Sequence, residues 1–210
     1  MAAFDVQEFI AQMVDDGARP NLFKASLSMP AAIANLNNGG AFNEKFTFMC
    51  RATQLPASTV GIVSIPFLGR QVKFPGNRTF ANWTVTIIND EDFVVRNAIE
   101  TWLNALNSHV GNARAPIALA HAGYTANGSV DQLGKSGDGA GNQLAVKTYN
   151  FVGLFPVESS VIELDWGTND TAEEFSVTFA YQWWESDTTD SSSGSDTFNQ
   201  TQAAGTFQAG

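Results

Sequence analysis

The sequence predicts a mainly β fold in which two packed antiparallel sheets form a sandwich or near-barrel with one central α-helix and a short N-terminal helix. Apolar residues alternate with polar or small ones in four separate segments, which is the period of a strand with one buried face. Another segment has the period of a long amphipathic helix. Alternating strands of this kind are typical of antiparallel sheets that bury one face in a core.

The four alternating segments are spread along most of the chain. Their apolar residues are Phe23, Ala25, Leu27 and Met29; then Phe46, Phe48 and Cys50; then Trp83, Val85 and Ile87; and last Phe175, Val177, Phe179, Tyr181 and Trp183. The residues between them are mostly Ser, Thr or other small and polar types. We therefore expect half-buried strands in all four segments.

Two segments have helical periodicity. The N-terminal stripe consists of Val6, Phe9, Ile10 and Met13. A longer stripe runs from Val95 to Val110, and the acidic run at 89–92 before it supplies a cap and favourable charge for the helix dipole. We expect this second helix to cover one end of the strand assembly, with His109 near its C-terminal end.

The expected organisation is one β domain at residues 1–185, followed by a flexible tail at 186–210. Loop insertions are expected near 30–43 and 123–142, because both segments are rich in glycine or asparagine. The tail contains no basic residue and few large apolar ones, which is the composition of a segment that cannot form a core.

Charge and composition exclude several classes of function. The 210 residues carry a formal net charge of −10, with 21 acidic residues against 11 basic ones, so a surface that grips nucleic acid is not expected. Cys50 is the single cysteine, which excludes an internal disulfide, and its alternation with phenylalanines predicts a buried, inert thiol. The N-terminal segment lacks the basic and apolar regions of a signal peptide, so we expect a soluble, cytoplasmically made protein without a membrane anchor.

The sequence contains no convincing constellation for chemistry. His109 and His121 have no ligand or acid at metal-binding or catalytic spacing. Glu163 and Asp165 are expected to share one face of a strand, as a glycosidase pair could, but solvated carboxylates are the simpler interpretation. The fragment 134–136 (GKS) lacks the earlier glycine of a phosphate-binding loop. We therefore expect no catalytic residue, no cofactor and no metal.

Several motifs occur in the order that characterises one viral family. These segments are 18–23 (ARPNLF), 46–56 (FTFMCRATQLP), 65–66 (IP), 76–86 (GNRTFANWTVT), 89–91 (NDE), 153–156 (GLFP), 164–166 (LDW) and 175–185, which begins FSVT and ends WE. Together they resemble the tail tube protein of contractile-tailed (myovirus) bacteriophages over residues 15–110 and 148–185. The run 78–91 is the most specific part of the resemblance.

The resemblance implies a structural role and a set of partners. Such proteins are similar in fold to type VI secretion tube subunits: six copies join their sheet edges into a ring, and rings stack into a tube inside a contractile sheath. The implied partners are further copies of the chain, the sheath protein, the baseplate, the tail terminator and a tape-measure protein in the lumen. DNA passes through during ejection without specific binding. The implied location is the virion tail, reached from the host cytoplasm during assembly.

Two groups of residues become site hypotheses once a tube is assumed. Glu163 and Asp165 are hypothesised to face the lumen, where carboxylates repel phosphate. The exposed-looking apolar and basic residues of the segment 56–78 are hypothesised to form a contact between subunits or rings, with solvated surface cations as the alternative. They are Ile65, Pro66, Phe67, Leu68, Arg70, Lys73 and Arg78.

Two other readings stay open at this point. A tube subunit of a phage-derived contractile injection or type VI-like secretion system would share the fold and carry a different cargo. A carbohydrate-binding β-sandwich module would use exposed aromatic rings, and the chain has five tryptophans. Most of these tryptophans fall on the apolar side of their own segment, which favours core packing over sugar binding. The five tryptophans are Trp83, Trp102, Trp166, Trp183 and Trp184.

Overall fold

A computed structural model of the chain describes residues 5–13, 17–35, 41–137 and 143–186. The helices are α1 (Val6–Gln12), α2 (Ala31–Ala34), α3 (Phe42–Met49), α4 (Val94–Leu106) and α5 (His121–Tyr124). The strands are β1 (Phe23–Ser28), β2 (Cys50–Thr53), β3 (Ser58–Phe67), β4 (Arg70–Phe80), β5 (Trp83–Ile88), β6 (Ala126–Gly137), β7 (Gln143–Ser159), β8 (Glu174–Ala180) and β9 (Trp183–Ser186). None of the helices in these ranges has the length and apolar content needed to cross a membrane.

Strand β7 belongs to two sheets and joins them. It pairs with β6 as far as Leu154 and with β9 over Tyr149–Val152, and from Phe155 onward it pairs with β8. One sheet therefore has the order β1-β6-β7-β9, and the other has the order β7-β8-β5-β2, with every pair antiparallel. Gly153 has a φ of +68°, a conformation that side-chain-bearing residues rarely adopt, and it marks the point where the strand changes sheet. The predicted two-sheet β fold is confirmed.

The core lies between the two sheets and centres on aromatic rings. Trp83 of β5 stacks on Phe151 of β7 with ring centroids 4.6 Å apart, and Phe179 of β8 lies 5.5 Å from the same indole. All three side chains are buried. The indole Nε1 of Trp83 donates to Thr53 Oγ1 at 2.8 Å, so the buried polar atom has a partner. This stack connects a strand of each sheet directly.

The central helix α4 is confirmed, and it is shorter than expected. Its inward face buries Val95, Ile99 and Trp102 of the predicted stripe, together with Ala98 and Ala105. The helix ends at Leu106, so His109 and Val110 lie beyond it, and Val110 is fully exposed.

The acidic run before α4 lies at its N-terminus, as expected. Phe93 is the N-cap residue, in the left-handed region with φ of 53°, and no side chain at that position caps the helix. Instead, the carboxylate of Asp92 accepts a bond from the backbone N–H of Val94 at 3.2 Å. One first-turn N–H that the helix itself cannot satisfy is thereby paired.

The second predicted strand is wrong over residues 46–49, because α3 occupies them. Phe42 and Phe46 are one helical turn apart and both are fully buried, whereas Phe48 is 76% exposed. The strand begins only at Cys50. Cys50 is half-buried, and burial raises the pKa of its thiol to about 12, which fits the expectation of an inert cysteine.

The two expected loop insertions contain regular structure. The segment 30–43 holds α2 and the start of α3, with 36–40 outside the described residues. In the segment 123–142, residues 126–137 form β6, which pairs with both β1 and β7, so a flexible loop is wrong there. Gly128 explains the composition: a Cβ at this position would lie 2.8 Å from the Leu154 side chain and 3.0 Å from the Ser26 carbonyl oxygen. Residues 138–142 and most of the expected tail, 187–210, lie outside the described ranges.

The short N-terminal helix is confirmed as α1, and Asp5 caps it by accepting from the Glu8 N–H at 2.9 Å. Its apolar stripe is exposed and buries no residue against the described part of the chain. The helix therefore has the predicted amphipathic pattern without the packing that usually accompanies one.

The sheet-to-sheet stack predicts a large difference between two tryptophans. We expect Trp83→Ala to lower the free energy of unfolding by about 3–5 kcal/mol, since it removes a buried aromatic side chain and leaves a cavity. Trp166→Ala, the matched control at a fully exposed position, should change it by less than about 0.5 kcal/mol. Urea unfolding of dilute protein, followed by far-UV circular dichroism, measures both. Equal losses for the two variants would contradict the assignment of Trp83 to the core.

Candidate assembly surfaces

Strands β3 and β4 form a long hairpin that extends from the body of the protein. The pairing runs from Ser58 opposite Phe80 at the base to Phe67 opposite Arg70 at the tip. The turn residues Leu68 and Gly69 both have positive φ, 45° and 81°, as tight two-residue hairpin turns require. Every residue of β3 is exposed, and the strand has ten residues, so the hairpin is roughly 30 Å long.

The outer half of the hairpin displays large apolar side chains to solvent. Phe67 is 65% exposed and Leu68 is 89% exposed, and Ile65 and Val72 beside them are exposed as well. The pairing places the predicted contact residues side by side, with Ile65 opposite Val72, Pro66 opposite Gln71 and Phe67 opposite Arg70. A contiguous apolar surface of this kind is uncommon on a protein that functions as an isolated chain.

The hairpin is positively charged in a negatively charged protein. Between Gln54 and Asn89 the chain contains Arg70, Lys73 and Arg78 and no acidic residue. Arg70 and Lys73 both lie in the outer half, Arg70 on the face of Phe67 and Lys73 on the opposite face. Six of the seven residues of the hypothesised contact are therefore brought together near the tip, and the exception is Arg78.

Arg78 lies at the base of the hairpin, where it contacts the body. Its guanidinium carbon is 5.2 Å from the ring centroids of both Phe80 and Trp184, and its Nη2 donates to Ser58 Oγ at 3.0 Å. Phe80 also contacts Tyr181, with ring centroids 6.1 Å apart. Sequence reasoning missed this role because Trp184 is far from Arg78 in the chain. Arg78 holds the hairpin against β9 and is not part of the tip.

Glu163 and Asp165 lie in the connection between β7 and β8, residues 160–173, which we call the β7–β8 loop. They are exposed and do not occupy a strand, so the shared strand face is wrong. Asp165 Oδ1 accepts from the Gly167 N–H at 3.0 Å, a local bond that forms a turn. Three large apolar side chains of the same loop are exposed: Val161, Leu164 and Trp166. Whether the two carboxylates face a lumen stays a prediction.

Both sheets have outer faces of small hydroxyl-bearing residues. On β5 and β8, Thr84 lies 3.5 Å from Thr178 and Thr86 lies 3.2 Å from Ser176, measured between side-chain oxygens. In the other sheet, the hydroxyls of Ser26 and Ser129 are 2.7 Å apart. These residues alternate with the buried ones, as the sequence pattern predicts.

The geometry gives no support to the chemical alternatives. Over the described ranges, no three His, Cys, Asp or Glu side chains are placed to hold a metal ion. The GKS fragment at 134–136 lies within strand β6 and not in a turn before a helix. Trp83 and Trp102 are buried in the core, and Trp184 packs edge-on against Tyr149 with ring centroids 5.5 Å apart. Trp166 and Trp183, the two exposed indoles, lie at opposite ends of β8.

Comparisons with known proteins agree on one family. The phage tail tube protein family matches residues 18–187. The chain is 31% identical to the tail tube protein gp19 of Enterobacteria phage T4 over 170 residues, which cover 81% of this chain and 92% of that protein. It is 24% identical to the tail tube protein of Serratia phage KSP90, over 84% of this chain and 93% of that protein.

A solved structure shows the same fold at low sequence identity. A chain of the anti-feeding prophage baseplate superposes with a TM-score of 0.53 at 12% identity, covering 81% of this chain and 95% of that one.

The contacts of Arg78 predict a local effect at the hairpin base. Arg78→Ala removes two cation–π contacts and a hydrogen bond, so the amides near Ser58 and Phe80 should exchange hydrogen faster by several-fold, equivalent to about 1 kcal/mol. Exchange in the core strands β5 and β8 should stay unchanged. Arg70→Ala at the tip is the control and should leave the base protected. Equal exchange in both variants would show that Arg78 does not anchor the hairpin.

Proposed function

Since the chain belongs to the phage tail tube protein family, we propose that it is the structural, non-catalytic subunit of the tube in a contractile phage tail. Six copies form a ring, and stacked rings form the channel through which DNA is ejected inside the sheath. The observation that carries the proposal is the β3–β4 hairpin, whose exposed apolar outer half is not covered by any part of the chain that the structure describes and fits a contact with another copy.

The sheet borders support side-by-side association of copies. Strands β1, β2 and β9 each have one paired neighbour, and no other strand in the described ranges pairs with their outer edges. Unpaired edges are a liability that a closed ring removes, because each copy completes the edge of the next. The hydroxyl-lined outer faces suit a sheet that borders water on the side away from its core.

The net charge supports passage of DNA without binding. Each chain has a formal charge of −10, so a ring of six copies carries an excess of carboxylates over cations, which disfavours retention of phosphate. In the assembled virion the remaining partners are the sheath, the baseplate, the tail terminator and a tape-measure protein in the lumen. The chain meets them after synthesis in the host cytoplasm.

The other readings have less support. The relative from phage T4 at 31% identity favours a phage tail over a secretion system. A carbohydrate-binding module would need several accessible aromatic rings on one surface. Trp83 and Trp102 are buried, and the exposed Trp166 and Trp183 lie at opposite ends of β8, so the tryptophans do not form such a surface.

Negative-stain electron microscopy of the purified full-length chain tests the proposal directly. We expect hollow tubes or six-fold rings at high protein concentration, or after addition of a baseplate that provides a first ring. Dispersed monomers under both conditions would contradict a tube subunit.

Charged substitutions at the hairpin tip test the contact hypothesis. We expect Phe67→Asp and Leu68→Asp to abolish tubes, since each places a carboxylate in an apolar contact, while the thermal unfolding midpoint of the dispersed chain stays unchanged. Val110→Asp, at a fully exposed position after α4, is the matched control and should still give tubes. Normal tubes from both tip variants would remove the hairpin from the interface.

A further inference from the structure

The β7–β8 loop presents a second exposed apolar surface, well separated from the hairpin. Leu164 is 80% exposed and Trp166 is fully exposed, and Val161 beside them is exposed too. Such side chains add nothing to the stability of an isolated chain, but burying them against a partner is favourable. The loop is therefore a candidate docking surface for another protein surface.

The charge of the loop indicates which occupant fits. It carries Glu163, Asp165, Asp170 and Glu173, and the chain has no Lys, Arg or His after Lys147. The ion pairs near this end use other carboxylates: Lys45 contacts Asp90 and Asp92, and Arg51 contacts Glu174. Within the described ranges, Glu163 and Asp165 form no ion pair. A partner with basic and apolar side chains would complement the loop.

The hairpin tip has that combination of side chains. Phe67 and Leu68 are its exposed apolar residues, and Arg70 and Lys73 are its cations, with no acidic residue nearby in the chain. Each surface thus combines apolar groups with charges of one sign, and the two signs are opposite. Such complementarity selects a partner and its orientation more than it adds affinity.

The two surfaces lie at opposite ends of the same sheet. The hairpin leaves the body next to Trp83, which pairs with Phe179, and the loop enters β8 next to Ile88, which pairs with Glu174. Five residue steps of β5 separate these ends by roughly 17 Å, and the hairpin adds its own length at one end. Within one chain the tip and the loop therefore face different neighbours.

We propose that the β7–β8 loop is the receptor for the β3–β4 hairpin tip of the next copy, so that Arg70 and Lys73 meet Glu163 and Asp165 while Phe67 and Leu68 cover Leu164 and Trp166. A contact between two different surfaces of identical chains is heterologous and repeats without closing, as growth along one axis requires. This inference rests on the proposed tube function. It assigns Glu163 and Asp165 to the contact between successive copies and not to the lumen.

Charge reversal and its rescue test the pairing. Arg70→Glu with Lys73→Glu, and separately Glu163→Lys, should each raise the protein concentration needed for tube formation, measured by sedimentation, on the order of tenfold. Adding Glu163→Lys to the Arg70→Glu, Lys73→Glu chain should lower that concentration again, because the introduced lysine offsets the charge of Asp165 and reduces the repulsion between the loop and the two introduced glutamates. Glu44→Lys, the same charge change at an exposed position on α3, is the control and should assemble normally.

Engineered cysteines test the proximity without relying on charge. A chain with Leu68→Cys and Trp166→Cys should give a ladder of disulfide-linked oligomers on oxidation of assembled protein. A mixture of the two single variants should give only the mixed dimer. Leu68→Cys combined with Val110→Cys should give no ladder, and the wild-type chain controls for Cys50. A ladder from the Val110 pair equal to that from the Trp166 pair would overturn the assignment.

The outcomes separate this inference from the proposed function. Wild-type protein that never forms tubes refutes the tube function itself. Wild-type tubes, together with normal assembly of Glu163→Lys and no Leu68–Trp166 ladder, refute only the receptor. The carboxylates of Glu163 and Asp165 would then be assigned to the lumen. Impaired assembly of the Arg70→Glu, Lys73→Glu chain without recovery in the triple variant also refutes the pairing, provided that thermal unfolding shows a folded chain.

Discussion

The stack of Trp83 on Phe151 is the contact on which the rest of the structure depends, because each ring belongs to a different sheet. Strand β7 reaches both sheets only by turning at Gly153, and the stack fixes the spacing between them. Once the sheets are fixed, α4 has a surface to cover and β5 has a defined direction. The hairpin before β5 and the loop before β8 are then held at opposite ends of one rigid body.

The local sequence pattern was sufficient to predict an element where the segment buries one face. It failed where the same residues are compatible with two different structures. The strands β1, β5 and β8 and the helix α4 were predictable, because their periods match the residues that they bury. Phe46 and Phe48 suggested a strand, but Phe42 one turn earlier makes the buried face helical. The glycines near residue 128 suggested a mobile loop. Gly128 instead lies in a strand whose neighbours, Leu154 and Ser26, leave no room for a side chain. That lack of room arises from residues distant in sequence.

The candidate surfaces show the same division. Ile65 to Leu68, Arg70 and Lys73 could be grouped from sequence, since a hairpin brings near neighbours together. The contact that anchors Arg78 could not be predicted from sequence, because its partner Trp184 lies more than a hundred residues later in the chain. Glu163 and Asp165 alternate as strand residues would, but the turn that Asp165 forms with Gly167 ends that regularity.

The hairpin contributes almost nothing to the core, since β3 is exposed throughout, β4 is half-buried only at Gly76 and Phe80, and only the base of the hairpin contacts the body. Under the proposed contact, folding and recognition are encoded in separate stretches of sequence. Substitutions at the tip then carry no penalty in folding, and assembly is kept when the proposed receiving surface changes with them. A lineage can in this way alter which copies recognise one another while keeping the same scaffold, and two related tubes in one infected cell could stay distinct.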